Sequence, residues 1–487
     1  MEFKKKQIIL SKELQEHYRK HGVSDLEAYI KNKPQQMMCE DASSPTTRFI
    51  RLNPRYDVNE TLNLLRKELK DGEEVIEVPW LSRDLRFYAV PETFALSRSE
   101  AFNSGRIYGM DVSSGAAVAA LFHEDHEIYN NLLGIDTCEE HKKGSLEDEA
   151  IEMRVLDLCC APGLKTCAIA DLLETRNSRN VHIIGVDISE KRLQLCKNIV
   201  KKYHVDHDTS GRKMPRTARS LEDDIENTNE STNEIGCLTK QNTIIQLFHS
   251  DGTTFGIRDK RNTDSSLLIF DSRIALDQEV QDWRAGRKRK RMNKSARARE
   301  SKSLKMVTNI LWKSVNADIA GKPTLDSEQS NEMTIPLFDR VLVDAECSSD
   351  GAVRHLQQKF SRSKKMTTNS KLTDAQQLED LVALQKKLIA SGFRLLKRGG
   401  TMVYSTCSLA EEQNENVVSW LLNEFHELID LVPVAFNTAG INEVSSCASS
   451  QGSSITDGKI KGTVRFHPST SDDLFGGGFF LAKLRKR

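Results

Sequence analysis

Two cysteines stand where a thiol could do nucleophilic chemistry. Cys347 ends the run Phe338-Asp339-Arg340-Val341-Leu342-Val343-Asp344-Ala345-Glu346-Cys347-Ser348-Ser349, and Cys407 ends Gly399-Gly400-Thr401-Met402-Val403-Tyr404-Ser405-Thr406-Cys407-Ser408. The thiolate is the reactive form, and an ordinary Cys has a pKa of ~8.5, so such a site must favour the anion. Each run is short, rich in β-branched residues and followed by small polar residues. That pattern predicts a buried parallel strand with a loop at its carboxyl end. Ligands bind outside the carboxyl ends of strands in open α/β sheets, so Asp344, Cys347 and Cys407 are expected in one crevice. The plain alternative is two ordinary core cysteines, since free Cys is among the most buried residue types. The rest of the chain favours chemistry.

A second group of residues could hold a cofactor. Val155-Leu156-Asp157-Leu158-Cys159-Cys160-Ala161-Pro162-Gly163-Leu164-Lys165-Thr166 reads as a strand, a tight turn and a helix start. Gly163 lets a ligand approach the backbone, and a helix N-terminus suits a carboxylate or phosphate. Neither a G-x-G-x-x-G nor a P-loop pattern is present, which argues against a dinucleotide or nucleoside triphosphate. The next two strands also end in acids, Asp187 after Ile183-Ile184-Gly185-Val186 and Asp251 after His249-Ser250. A carboxylate at a strand end can accept hydrogen bonds from ribose hydroxyls. Such strand-end acids suit a nucleoside-bearing ligand without a pyrophosphate, and S-adenosylmethionine is such a ligand. Any one of these acids, taken singly, also reads as a turn or N-cap residue.

The elements that must position these residues follow from periodicity. Strands are predicted at 153–158, 181–186, 243–248, 338–343, 400–405, 428–433 and 478–484, and helices at 163–174, 189–203, 374–397 and 410–425. Alternation of this kind predicts an α/β, Rossmann-like sheet. Lys397-Arg398-Gly399-Gly400 reads as a helix stop. Residues 206–241 and 256–335 are polar or highly charged and read as insertions, and 436–472 as a Ser-rich polar loop. Residues 1–104 read as a small α+β domain with strands at 48–52, 75–78 and 86–90 and a helix at 58–70, and 105–487 as the main domain. Ser113 or Ser114 is the predicted N-cap of an Ala/Val/Leu helix. Arg48, Arg51 and Arg55 could meet a phosphate backbone, or line a solvated edge.

The 487 residues carry no net formal charge, but that is an average over opposing segments. The run Arg284-Ala285-Gly286-Arg287-Lys288-Arg289-Lys290-Arg291-Met292-Asn293-Lys294 reads as a nuclear-import or nucleic-acid-binding segment. The ten cysteines show no repeated C-x-x-C spacing, so no zinc ribbon or other metal site is expected. No signal peptide or membrane span is expected, which places the chain inside the cell with reduced thiols.

Taken together these motifs resemble the NOP/Sun (Fmu-type) family of S-adenosylmethionine-dependent RNA cytosine-5 methyltransferases. The likeness runs from about 105 to 484 outside the insertions, with a weaker one in 48–90. It rests on Asp111-Val112-Ser113-Ser114, LDLCCAPGLKT at 156–166, IIGVDISEKRL at 183–193, Asp251, DAECSSDG at 344–351, YSTCSL at 404–409 with Asn414-Glu415-Asn416, and the ending Gly477 to Leu484. The resemblance implies that Cys407 is the nucleophile, that Cys347 assists release of the enzyme–RNA adduct, and that Asp344 holds the cytosine. It implies that Cys159, Cys160, Ala161, Pro162, Gly163, Leu164, Lys165, Asp187, Arg192, Asp251 and Asp344 hold the cofactor, with Arg48, Arg51 and Lys165 toward RNA. The implied substrate is tRNA or rRNA, the implied assembly a monomer, and the expected place the nucleus or nucleolus rather than the cytoplasm.

Three positions depart from the family pattern: Leu164 stands for Gly, Met110 for Gln and Glu346 for Pro. A carboxylate at Glu346 is expected to disfavour the Cys347 thiolate. It also motivates a rival reading, a non-catalytic RNA-binding or assembly factor that keeps the fold. A DNA cytosine-5 methyltransferase is a further rival, though that scheme lacks the strand-end Thr-Cys-Ser around Cys407.

Overall fold

The computed structural model describes residues 12–20, 47–81, 83–123, 153–176, 178, 180–205, 243–256, 267–275, 302, 304, 337–352, 375–434, 436, 455–467 and 477–487. The chain forms two compact units, one from 1–123 with 342–487 and the other from 124–341. The basic run at 284–294 lies outside the described residues.

The first unit begins with helix α1 (Lys12–Lys20) and a small antiparallel sheet. Its strands are β1 (Thr47–Leu52), β2 (Ile76–Glu77), β3 (Phe87–Pro91) and β4 (Ile107–Tyr108), in the order β2-β3-β1-β4. Helix α2 (Val58–Glu68) starts where the Asp57 carboxylate accepts the Glu60 amide at 2.8 Å, an N-cap that satisfies an orphan donor. Its Leu65 is buried among Ile50, Leu52, Val90, Phe94 and Ile107, with Leu62, Leu64 and Leu69 packed at the margin. Burial of each such side chain contributes about 1.5–3 kcal/mol. After the short helix α3 (Glu100–Asn103) and β4 comes α4 (Val112–Phe122). The N-cap of α4 is Asp111, not Ser113 or Ser114: its Oδ1 accepts both the Ser113 amide (3.0 Å) and the Ser113 hydroxyl (2.6 Å). A carboxylate two residues before Ser113 satisfies the helix start and leaves the serines inside it.

The second unit is a βαβαβ array. Strand β5 (Met153–Leu158), helix α5 (Leu164–Thr175), strand β6 (Val181–Asp187), helix α6 (Glu190–Val200) and strand β7 (Thr243–His249) follow in order. β5 pairs parallel with β6 and β6 with β7, which is the Rossmann-like arrangement expected from the alternation. Their burial on both faces explains the continuous apolar runs. Within the stretch read as an insertion at 256–335, a further strand β8 (Leu267–Asp271) adds antiparallel to β7. A buried polar chain fixes it there: His182 Nε2 lies 2.7 Å from Gln246 Oε1, and Gln246 Nε2 donates to Asp271 Oδ2 at 2.7 Å.

Strand β9 (Phe338–Asp344) contains the division between the units, and the first unit resumes at Leu342. Helix α7 (Ala375–Leu395) runs directly into strand β10 (Leu396–Thr406), so Lys397 to Gly400 belong to a strand rather than to a helix stop. The orphan carbonyls at the end of α7 are met from far away: Lys486 Nζ donates to Phe393 O at 3.1 Å and to Leu396 O at 2.8 Å. Helix α8 (Glu415–Glu424) and strands β11 (Ile429–Val432), β12 (Ile455–Asp457), β13 (Val464–Phe466) and β14 (Phe479–Lys486) complete the unit. β14 pairs antiparallel with β10, β11 and β13, and β12 with β13. The stretch read as a polar loop at 436–472 thus supplies two strands. Trp80 packs edge-on against Phe436 (ring centroids 5.3 Å apart) and beside Phe466 (5.7 Å), which ties the small sheet to this hairpin.

Candidate active site

The loops after β9 and β10 bring the two cysteines together. Cys347 Sγ lies 3.3 Å from Cys407 Sγ, and neither is in a disulfide. Cys347 is buried and Cys407 half-buried, so Cys407 is the thiol more open to a ligand. Asp344, at the end of β9, accepts the Ser405 hydroxyl at 2.9 Å, and the Ala345 amide donates to Ser405 O at 3.0 Å. Asp344, Cys347 and Cys407 therefore share one strand-end region, as their sequence setting predicts.

A buried polar network holds both loops. Ser348 donates its hydroxyl to Asp350 Oδ1 and lies 2.9 Å from Ser408 Oγ. The Ser348 amide donates to Gln413 Oε1 at 3.0 Å, and Leu409 N donates to Asp350 Oδ2 at 3.2 Å. Gln385 on α7 donates to the Glu346 carbonyl (2.8 Å) and to Gln413 Oε1 (3.2 Å). Asn414 N-caps α8 by position, yet its side chain accepts the Thr406 hydroxyl at 2.5 Å and donates to Ser408 O at 2.9 Å. Its amide is used to hold the Cys407 loop instead of the helix. The Gly351 amide donates to Cys407 O at 3.0 Å, and Gly351 O accepts from the Gly478 amide at 2.9 Å. Asp350, Gln385 and Gln413 are positioning residues that sequence reasoning missed. Asp350 and the polar residues after Cys407 stand inside the quoted motifs, whereas Gln385 carries no local signal.

The hydrogen bond with Cys407 and then burial push the Cys347 thiol well above its ordinary value, and the Asp350 carboxylate adds to that rise. The Glu346 expectation is therefore corrected. Its side chain is exposed, and the carboxylate acting on Cys347 is that of Asp350, within the loop. Solvent screening weakens an exposed charge relative to a buried one.

In the second unit, the turn after β5 is built for close approach. Cys159 has φ 64° and Gly163 has φ 101°, and Gly163 occupies the N-cap of α5. A Cβ on Gly163 would stand 2.5 Å from Cys196 Sγ, so glycine there lets α6 pack against the turn. Gly163 has no side chain with which to cap α5, and a helix start of this kind suits a carboxylate. Cys160 and Ala161 are buried, Pro162 is exposed, and Cys159, Leu164 and Lys165 are half-buried. A hydrogen bond with Cys196, and then burial, push the Cys160 thiol well above its ordinary value.

Asp187, 4% exposed, accepts the Ala161 amide at 3.2 Å and the Ser189 amide at 2.8 Å. Arg192 Nη2 donates to Ala161 O at 2.6 Å, and its Nη1 stands 3.7 Å from Asp187. These two residues shape the turn, whatever else they bind. Asp251 is exposed and accepts the Thr253 amide at 2.9 Å. Ile188, 65% exposed directly after Asp187, is an apolar surface that sequence reasoning missed. A glycine-led helix start, acids at the ends of adjacent parallel strands and an exposed aliphatic side chain fit the carboxylate, ribose and base of S-adenosylmethionine.

The residues assigned to RNA divide. Arg48 and Lys165 are half-buried. Arg51 is 0% exposed, with its guanidinium 3.9 Å over the Tyr108 ring. It is a core cation–π residue that holds β4 to β1, and the expectation that it meets a phosphate is corrected on that ground. Among the described residues, no cluster of His, Cys, Asp and Glu could hold a metal ion, and no helix is long and apolar enough to cross a membrane.

Residues 295–485 match the family model "16S rRNA methyltransferase RsmB/F", and residues 150–209 match "Methyltransferase domain". Two curated proteins named "Ribosomal RNA small subunit methyltransferase F" are similar. The one from Klebsiella pneumoniae (strain 342) is 33% identical over 149 residues, and the one from Escherichia coli O1:K1 / APEC is 33% identical over 150 residues. In each case the match covers 31% of this chain and 26% of the relative. Among solved structures, a methyltransferase homolog protein from Pyrococcus horikoshii aligns with a TM-score of 0.47 at 18% identity, over 98% of this chain and 100% of that one. NSun6 from Pyrococcus horikoshii with SFG aligns with a TM-score of 0.49 at 15% identity, over 98% of each chain.

Proposed function

We propose that the chain is a methyltransferase of the NOP/Sun (RsmB/F) type and that it methylates carbon 5 of cytosine in RNA through a covalent adduct on Cys407, a reading supported by the match of residues 295–485 to the RsmB/F family model. The observation that carries this reading is the pair of thiols 3.3 Å apart at two strand ends, with the Asp344 carboxylate bonded to Ser405, two residues before Cys407. Carbon 5 of cytosine is too poor a nucleophile to take a methyl group unaided. Addition of the Cys407 thiolate to carbon 6 forms a carbon–sulfur bond and moves the ring's electron pair toward carbon 5. Asp344 accepts hydrogen bonds from the cytosine and stabilises its protonated ring. S-adenosylmethionine, which the Cys159–Lys165 turn, Asp187, Ile188 and Asp251 would hold, would supply the methyl group to carbon 5 and leave as the neutral thioether. Loss of the carbon 5 proton then returns the electron pair and expels Cys407, and Cys347 assists that release. A stacked base hides its carbon 6, so the target cytosine is expected looped out or flipped.

The curated relatives' printed name makes small-subunit rRNA the first substrate to test, with tRNA next. The basic run at 284–294 supports a nuclear or nucleolar setting and added RNA affinity. Incubation with labelled S-adenosylmethionine and either RNA or DNA, then digestion to nucleosides, tests the reading. Labelled 5-methylcytidine from RNA is the expected product. Label from DNA alone would make the chain a DNA methyltransferase, and label from neither would favour an assembly factor.

A further inference from the structure

Leu409 stands two residues after Cys407, and its peptide groups are held from two sides. Its amide donates to Asp350 Oδ2 at 3.2 Å, from the Cys347 loop. Its carbonyl accepts from Arg465 Nη1 at 3.0 Å, from strand β13. The same guanidinium donates Nε to Glu415 Oε1 at 2.5 Å and Nη2 to Glu415 Oε2, a fork on the first residue of α8. Glu415 is almost wholly buried, and its Oε1 also takes the Lys459 amide at 3.3 Å. A third bond made by an already paired guanidinium fixes direction as well as charge, which a lysine cannot reproduce. Arg465 lies in the stretch the sequence offers as a polar loop, outside every motif.

We propose that Arg465, anchored on Glu415, is a positioning residue for the reaction: it fixes the loop that carries Cys407 so that its sulfur meets Cys347 and the target carbon. The Asp350 bond sets the same peptide from the Cys347 side, so the two loops are aligned through Leu409. Arg465 touches no reacting atom. This role rests on the reading of Cys407 as the nucleophile.

The test uses two readouts, one of which needs no RNA. Oxidised glutathione can convert the Cys347–Cys407 pair to a disulfide while being reduced to two thiols, and the rate of that exchange reports how closely the sulfurs are held. In Arg465→Lys, which keeps a positive charge beside Glu415, disulfide formation is expected to slow about tenfold or more, since a misplacement of about 1 Å can cost up to about a hundredfold in proximity effects. The kcat for RNA methylation is expected to fall with it while KM for RNA stays within about twofold, because the substrate-binding surface is untouched. Glu415→Gln, which keeps the shape of the anchor, is expected to show the same pattern more weakly and serves if Arg465→Lys does not fold. Lys459→Gln, which removes an exposed partner of Glu411 in the same hairpin, is expected to change neither readout. Unchanged disulfide rate and kcat in both clamp variants, or a rise in KM with kcat intact, would overturn the proposal. A slowed disulfide in a protein that methylates nothing would uphold the positioning and overturn the proposed reaction.

Discussion

At the scale of single residues, the two thiols have different surroundings. Cys407 is open to a ligand, whereas Cys347 is buried, hydrogen-bonded to Cys407 and near Asp350, all of which hold its proton. Near neutral pH Cys347 is therefore the protonated thiol. If its thiolate takes part in freeing the product, release of the adduct accelerates as pH rises through the alkaline range, where that form first becomes populated. Multiple-turnover rates measured against pH should show this rise, with single-turnover methyl transfer less affected. Glu346→Gln should leave the profile in place, because the Glu346 side chain is exposed; a shift of the rise to lower pH would give that carboxylate the role that the sequence suggested. Cys347→Ala should accumulate enzyme joined to RNA, read on a denaturing gel. The thiols and Asp344 were legible because strand-end positions follow from a run of apolar residues and a polar loop. Arg51 was misjudged because charge in a strand does not reveal which face it lies on, and Gln385 and Arg465 because their partners are distant in sequence.

At the scale of elements, the loops depend on close backbone approach. A Cβ on Gly351 would collide with the Gly478 carbonyl and stand 3.0 Å from Cys407 O, and backbone cannot turn aside. Gly351→Ala should cost about 1–3 kcal/mol of stability, as overpacking does, and slow adduct formation as well. Gly399→Ala is the control: its φ is +76° but nothing lies within 4 Å, so it should cost about 1–2 kcal/mol of left-handed strain and leave adduct formation unchanged. Thermal melts with a 5-azacytosine trapping rate separate the two. Equal trapping rates in both variants would show that the Gly351 contact does not position the site. The main strands and helices were legible because each carries several turns or pleats of its own period. Strands β8, β12 and β13 were not, since five, three and three residues are too few to show a period amid polar sequence. They owe their form to partners, as β13 does to β14 and to the fork between Arg465 and Glu415. The end of α7 shows the same limit, being capped by a lysine from the last strand.

At the scale of the whole molecule, net neutrality conceals a dense basic segment. Deleting 284–299 should lower the salt dependence of RNA binding, because each neutralised phosphate releases counterions, or move the protein from the nucleus to the cytoplasm. A deletion that changes neither slope nor location would leave the run a solvated linker. The α/β architecture could be read from alternation alone, and with it the placement of acids and thiols at strand ends. The claim on which everything else depends is that Cys407 forms a bond to cytosine. Incubation of the wild type and Cys407→Ala with S-adenosylmethionine and RNA containing 5-azacytosine, followed by denaturing electrophoresis and intact-mass measurement, tests it most directly. A denaturation-resistant protein–RNA adduct in the wild type and none in Cys407→Ala, with cofactor binding retained in both, is the predicted result; an adduct that persists in Cys407→Ala would contradict it.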